Sequence, residues 1–156
     1  MGMEGTSPFI VLRDMCEKMD IKPMPSVEFA VLKEIGRLTE MAAESMEKPT
    51  PEIVEAYTYL ADEYFRLGHR LLSDAYCKKA GIKPYRSTLK ADPLIYTAEY
   101  AAILPELEDK IYMEFKARSG TARCFAYWKA KKEILKKDYG MDWKTPRELN
   151  PDVRFD

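Results

Sequence analysis

Histidine is almost absent from this chain: His69 is the one histidine in 156 residues. That scarcity excludes a di-iron bundle built on paired Glu-x-x-His motifs and a zinc site held by histidines, since each needs further histidines in register. Cysteine is nearly as scarce. Cys16, Cys77 and Cys124 are an odd number with no Cys-x-x-Cys pair, which argues for reduced thiols packed as small apolar groups. No apolar run approaches the roughly 20 residues of a membrane-spanning helix, and no basic stretch followed by an apolar segment opens the sequence. The expectation is a cytoplasmic protein without membrane contact. A Gly-rich phosphate loop, a Gly-x-Ser-x-Gly elbow and a calcium loop are missing too. No cofactor or metal is therefore expected, and no residue stands out as catalytic.

What is present points to helices. Hydrophobic residues make up 46% of the chain, ample for one core at this length. A small polar residue followed by proline recurs before apolar-periodic runs, at Ser7-Pro8, Thr50-Pro51, Asp92-Pro93 and Thr145-Pro146. Each pair reads as an N-cap followed by proline at the first helical position, where the missing N–H costs nothing. Thr145 and Glu148 add the spacing of a capping box, and Ser26 is a fifth candidate cap. Gly81 and Gly140 read as left-handed C-caps after lysine-rich last turns.

These marks predict helices at about 8–19, 27–46, 51–80 (one or two), 93–103, 105–117 and 121–139. No segment alternates as a strand would. The expected fold is all-α: one compact domain over residues 1–156, a bundle of about six or seven helices with an aromatic- and proline-containing tail at about 140–156. Cys77 or Ser73 could couple to His69, Ser73 at helical i, i+4 spacing, but the histidine is expected to sit at the surface or cap a helix rather than act as a base. A carboxylate acid/base pair would have to be assembled in space, because no spacing along the chain selects one.

Residues 55–80 carry Tyr57, Leu60, Ala61, Tyr64, Gly68 and Ala80. In these positions the segment resembles a single tetratricopeptide hairpin, a binding module. It departs from the pattern at Arg70 and Asp74, where the family is apolar, and at Ser73, where it has alanine. Ile53, Tyr57, Leu60, Tyr64, Leu67 and Leu71 also follow four- and three-residue steps that keep one face through Gly68. That register favours one continuous helix over a hairpin, and predicts that Gly68→Ala stabilises the fold.

Charge is unevenly distributed. Residues 116–137 hold eight Lys and Arg against Glu133 alone, a net +7, so the remainder of the chain sums to −8 within a total of −1. Lys129, Lys132 and Lys136 form a row at helical spacing, and Arg118 and Arg123 precede it. These five are the candidate anion or nucleic-acid contacts; the other reading is the solvated flank of a core helix. In the tail, Tyr139, Trp143 and Phe155 are the candidate partner-binding residues, unless they pin the tail to the helices. The tail is similar to those of small uncharacterised proteins of bacterial phages and mobile elements, which implies an accessory, partner-interacting role. The expected function is a non-catalytic adaptor that binds another protein. The alternatives are a nucleic-acid-binding protein using the basic segment and an enzyme using carboxylates.

Overall fold

Proline sets the first residue of three helices and of one short turn in this protein. The computed structural model describes residues 24–117 and 123–155, together with Lys18. The helix expected at about 8–19, with Ser7-Pro8, lies outside the described residues. Within them the order is α1 (Pro25–Glu44), α2 (Pro51–Arg66), α3 (Arg70–Ala80), a 3-10 turn (Pro93–Tyr96), α4 (Ala98–Ala117), α5 (Arg123–Tyr139) and α6 (Pro146–Leu149). No strand occurs among the described residues, so the fold is all-α.

Three expected caps are made by side chains. Thr50 Oγ1 accepts from Ile53 N at 3.4 Å, Asp92 Oδ1 from Leu94 N at 3.0 Å, and Thr145 Oγ1 from Glu148 N at 3.2 Å. Gly81 and Gly140 take positive φ, 74° and 64°, past the ends of α3 and α5. Ser26 is not a cap. Met24 holds that position without a side-chain bond, and the backbone N–H of Ser26 donates to Asp109 Oδ1 at 2.8 Å. One of the unpaired donors at the start of α1 is thus met by a carboxylate of α4, which no local pattern reveals.

Two further expectations are corrected. Residues 51–80 form two helices, because α2 ends at Arg66 and Gly68 adopts φ +82°. His69 N donates to Tyr64 O at 2.8 Å and Gly68 N to Phe65 O at 3.1 Å, the paired bonds of a Schellman turn. His69 Nδ1 then accepts from Leu72 N at 3.2 Å and caps α3. A straight helix of this length would reach roughly 45 Å and carry its second half beyond the core. Folding back instead stacks Tyr76 on Tyr57 and Tyr64, with ring centroids 5.9 and 5.8 Å away.

The break expected at Pro105 is absent. Pro93 opens only the 3-10 turn, whereas α4 starts at Ala98 and runs through Pro105 to Ala117. Thr97 Oγ1 accepts from Tyr100 N at 3.2 Å at its start. An interior proline costs a helix about 3 kcal/mol. Burial of Tyr100, Leu104, Leu107 and Ile111 on one face of α4 offsets that cost, at about 1.5–3 kcal/mol per large side chain.

The core lies where α2 packs on both α1 and α3, and α4 packs on α1 and α5. Leu32, Leu60, Tyr64, Tyr76, Leu107 and Leu135 are among its buried members. At Gly36 an added Cβ would lie 2.3 Å from the Tyr76 hydroxyl, so α1 approaches the aromatic stack only because this position has no side chain.

Candidate functional site

The basic row is largely matched by nearby acids. Lys132 pairs with Glu148 and Lys136 with Asp142 at 2.6 Å, both acids belonging to the tail. These contacts hold the Glu148 and Asp142 carboxyls below their usual range. Lys129 is exposed on α5. Arg123 opens that helix, its side chain outside the described set, and Arg118 lies outside the described residues altogether. A groove of about 650 Å3 runs along Lys132, Lys136, Lys137 and Met141, open to solvent.

The tail folds back onto the body. Trp143 is buried at 6% exposure and lies within the core. Tyr139 is half-buried, with Lys110 Nζ 4.5 Å from its ring centroid. Phe155 meets Trp128 edge-on at 5.1 Å. Asn150 supplies a fastening that the sequence reading missed. Its side-chain oxygen accepts from Lys90 N and its amide donates to Lys90 O, both at 2.9 Å, while a third bond reaches Pro146 O. Asp92 adds another, accepting from Lys144 N at 2.7 Å.

The densest chemistry is inside the bundle, at a residue counted in the sequence only as one more positive charge. Lys131 is 8% exposed. Three aromatic rings surround its ammonium: Nζ is 4.5 Å from the Trp143 ring centroid, 5.1 Å from Tyr100 and 5.9 Å from Tyr127. Among the described residues no carboxylate comes within ion-pairing distance of it. Burial lowers its pKa from the ordinary lysine value to about 8; the Glu108 carboxylate opposes that fall and Arg70 adds to it. A signal for this burial did exist in the sequence. Lys131 stands four residues after Tyr127 and four before Leu135, on the apolar face of α5.

Glu108, on α4, accepts a hydrogen bond from the Tyr127 hydroxyl. Burial raises its pKa, and the Tyr127 bond and Lys131 only partly counter the rise. Burial also pushes the Tyr100 and Tyr127 hydroxyls well above the usual tyrosine range. Arg70, the first residue of α3, lies over the Phe65 ring at 3.8 Å and donates from Nη1 to Phe65 O. Its other donors point to no carboxylate within ion-pairing distance among the described residues.

Two clefts reach Lys131. One, of about 150 Å3, is bounded by Arg70, Tyr100, Tyr127, Trp128 and Trp143. The other, of about 360 Å3, opens past Glu28, Arg66 and Glu108, and shares Gly68, Tyr127 and Lys131 with the first. Among the described residues no group of three His, Cys, Asp or Glu is arranged to hold a metal. Cys77 is buried and Cys124 half-buried, both as free thiols. No helix of the described residues is long and apolar enough to cross a membrane.

Compared with protein-family models, with curated proteins and with solved structures, the chain matches none of them. The functional reading therefore rests on its own residues.

Proposed function

We propose that this chain is a non-catalytic helical accessory module that binds another protein through the outer face of α1. The observation that carries the reading is an apolar stripe on the side of α1 opposite its buried residues Leu32, Gly36 and Thr39. Val27, Val31, Leu38 and Met41, with Glu34 between them, follow four- and three-residue steps, the seam by which one helix receives another. Leu38 and Met41 are 51% and 55% exposed, and Val27 37%. The outward face of a surface helix is ordinarily charged, so an exposed stripe of this kind marks an interaction surface.

Charge narrows the partner. Glu34 pairs with Arg37, with Arg37 Nε to Glu34 Oε2 at 3.0 Å, while Arg37 Nη1 lies 3.0 Å from Met41 Sδ. The stripe is therefore self-neutral over roughly 21 Å of helix. The complement is an amphipathic helix of a second protein, apolar at three- and four-residue spacing and without net charge on that face. The resemblance of residues 55–80 to a tetratricopeptide hairpin supports the same reading, since that family is a binding module.

The test places a photoreactive residue at position 38 of the full chain. The expected result is a cross-link to one discrete protein, a helix of which then binds the natural chain but not Leu38→Glu/Met41→Glu. Cross-links only within the chain would mean that the stripe is covered from inside, and cross-links only to a second copy would make it a self-association face. Either result overturns the proposal.

A further inference from the structure

The cleft at Lys131 is not used by a surface that binds through α1, yet it gathers features that ordinary core packing avoids. Buried Lys131 and half-buried Arg70 bring two cations to one cleft, and among the described residues neither has a carboxylate within ion-pairing distance. Desolvating an ammonium is costly unless an anion or hydrogen-bond acceptor meets it, and ring faces return only part of that cost. Among the described residues the carboxylate lining this cleft is Asp92, which accepts from Leu94 N at 3.0 Å and from Lys144 N at 2.7 Å. Among the described residues the cleft thus presents these two cations, and its lining carboxylate is already bound to two backbone N–H groups.

We propose that this cleft, between α3, the 3-10 turn, α4 and α5, binds a small organic monoanion, a short carboxylate held between Arg70 and Lys131 with its body against Tyr100 and Trp143. The size follows from the space. About 150 Å3 holds roughly five waters at about 30 Å3 each, far less than a nucleotide or a drug-sized ligand needs. The charge follows from the groups present. Arg70 and Lys131 contribute two positive charges, the neighbouring Glu108, whose pKa burial raises, offsets at most one of them, and Asp92 and Lys144 balance each other, so positive charge is left for an anionic ligand to neutralise. The carboxylate class follows from geometry, because the planar guanidinium of Arg70 keeps free donors that match a two-oxygen group. Walls made of Tyr100, Tyr127, Trp128 and Trp143 suit a flat or apolar body.

The groups facing Lys131 also set how binding responds to pH. Tyr100 and Glu108 face it from α4, Tyr127 from its own helix, Arg70 from α3 and Trp143 from the tail. The two tyrosines stay neutral and Arg70 stays charged through mildly alkaline pH, so the loss of positive charge there belongs to Lys131. Carboxylate affinity is accordingly retained near neutrality and falls as pH rises past about 8.

The experiment titrates the full chain with acetate, pyruvate, benzoate and, separately, inorganic phosphate, read by calorimetry and tryptophan fluorescence. The expected result is saturable one-to-one binding of at least one carboxylate, with a fluorescence change from the tryptophans lining the cleft and weaker binding of phosphate. Lys131→Met and Arg70→Gln, each checked for intact helical circular dichroism, are expected to weaken it about tenfold or more. The absence of saturable carboxylate binding to the natural chain overturns the proposal, and that arm holds even if Lys131→Met fails to fold. Phosphate binding more tightly than every carboxylate, or undiminished binding in both folded variants, overturns it as well.

Discussion

The α2–α3 hairpin and the α4–α5 pair use tyrosine in opposite ways. In the hairpin, Tyr76 stacks on both Tyr57 and Tyr64, and two polar groups between the helices are matched locally. Ser73 Oγ donates to Ala61 O at 3.0 Å and His69 caps the second helix. In the α4–α5 pair, Tyr100 and Tyr127 instead border an ammonium and a carboxyl that are both displaced from their ordinary pKa. The same residue type thus serves packing in one region and the surroundings of a buried charge in the other. What separates them is the buried ammonium: Glu108 accepts from Tyr127, but Lys131 is met by ring faces and by no carboxylate within ion-pairing distance among the described residues.

The sharpest way to break the comparison is to remove the hairpin's central ring. Tyr76→Ala is expected to cost about 3–5 kcal/mol in denaturant unfolding, because a buried ring shared by two stacks leaves a cavity and the facing Gly36 of α1 has no side chain to fill it. A loss no larger than that of an exposed substitution would show that the stack does not hold the hairpin together.

The next effect tests the other region through pH. Lys131 has a folded pKa of about 8 against an ordinary lysine value of 10.5. Between those values the unfolded chain keeps a proton that the folded chain has released, so stability rises with pH across that window. From about pH 7 to 9.5 the gain is on the order of 2 kcal/mol, before losses from the buried tyrosines begin above about pH 10. Lys131→Met should remove this slope. A slope that persists unchanged in the variant would assign it to another group.

Gly68→Ala comes third, with an expected loss of about 1 kcal/mol. The space around an added Cβ is open, so the cost is the backbone at φ +82° and not a clash. A shift of the denaturant midpoint at constant slope reads it directly. The smallest effect belongs to the surface. Lys132→Ala should change stability by less than about 0.5 kcal/mol, since its pair with Glu148 is exposed. The unmutated chain is also expected to pass through immobilised nucleic acid at low salt, because tail carboxylates already face two lysines of the row. Firm retention would restore the basic segment as a functional surface.

Much of this fold could be read from the sequence where a few adjacent residues suffice. Thr50-Pro51, Thr145-Pro146, Gly81 and Gly140 mark helix ends through their own dihedrals and side chains, and the all-α class follows from periodicity. The reading failed where two local signals competed. At Gly68 an unbroken apolar register argued for a continuous helix and outweighed the capping role that was already one reading of His69, which does cap the next helix. At Pro105 a strong breaker was overruled by four buried side chains. The candidate site was less legible still, since Lys131 occupies an apolar-face position in α5 but was counted with the surface lysines around it.

The sequence by itself determined the helical class and the placing of most helix ends, because these depend on residue identity and on neighbours one turn away. Only the tertiary structure decided that Asp109 would meet the start of α1, that Asn150 would fasten the tail to Lys90, and that Lys131, Arg70 and Glu108 would share one cleft. Those contacts join residues far apart along the chain, and their energy comes from desolvation and partner geometry, which exist only once the helices have packed.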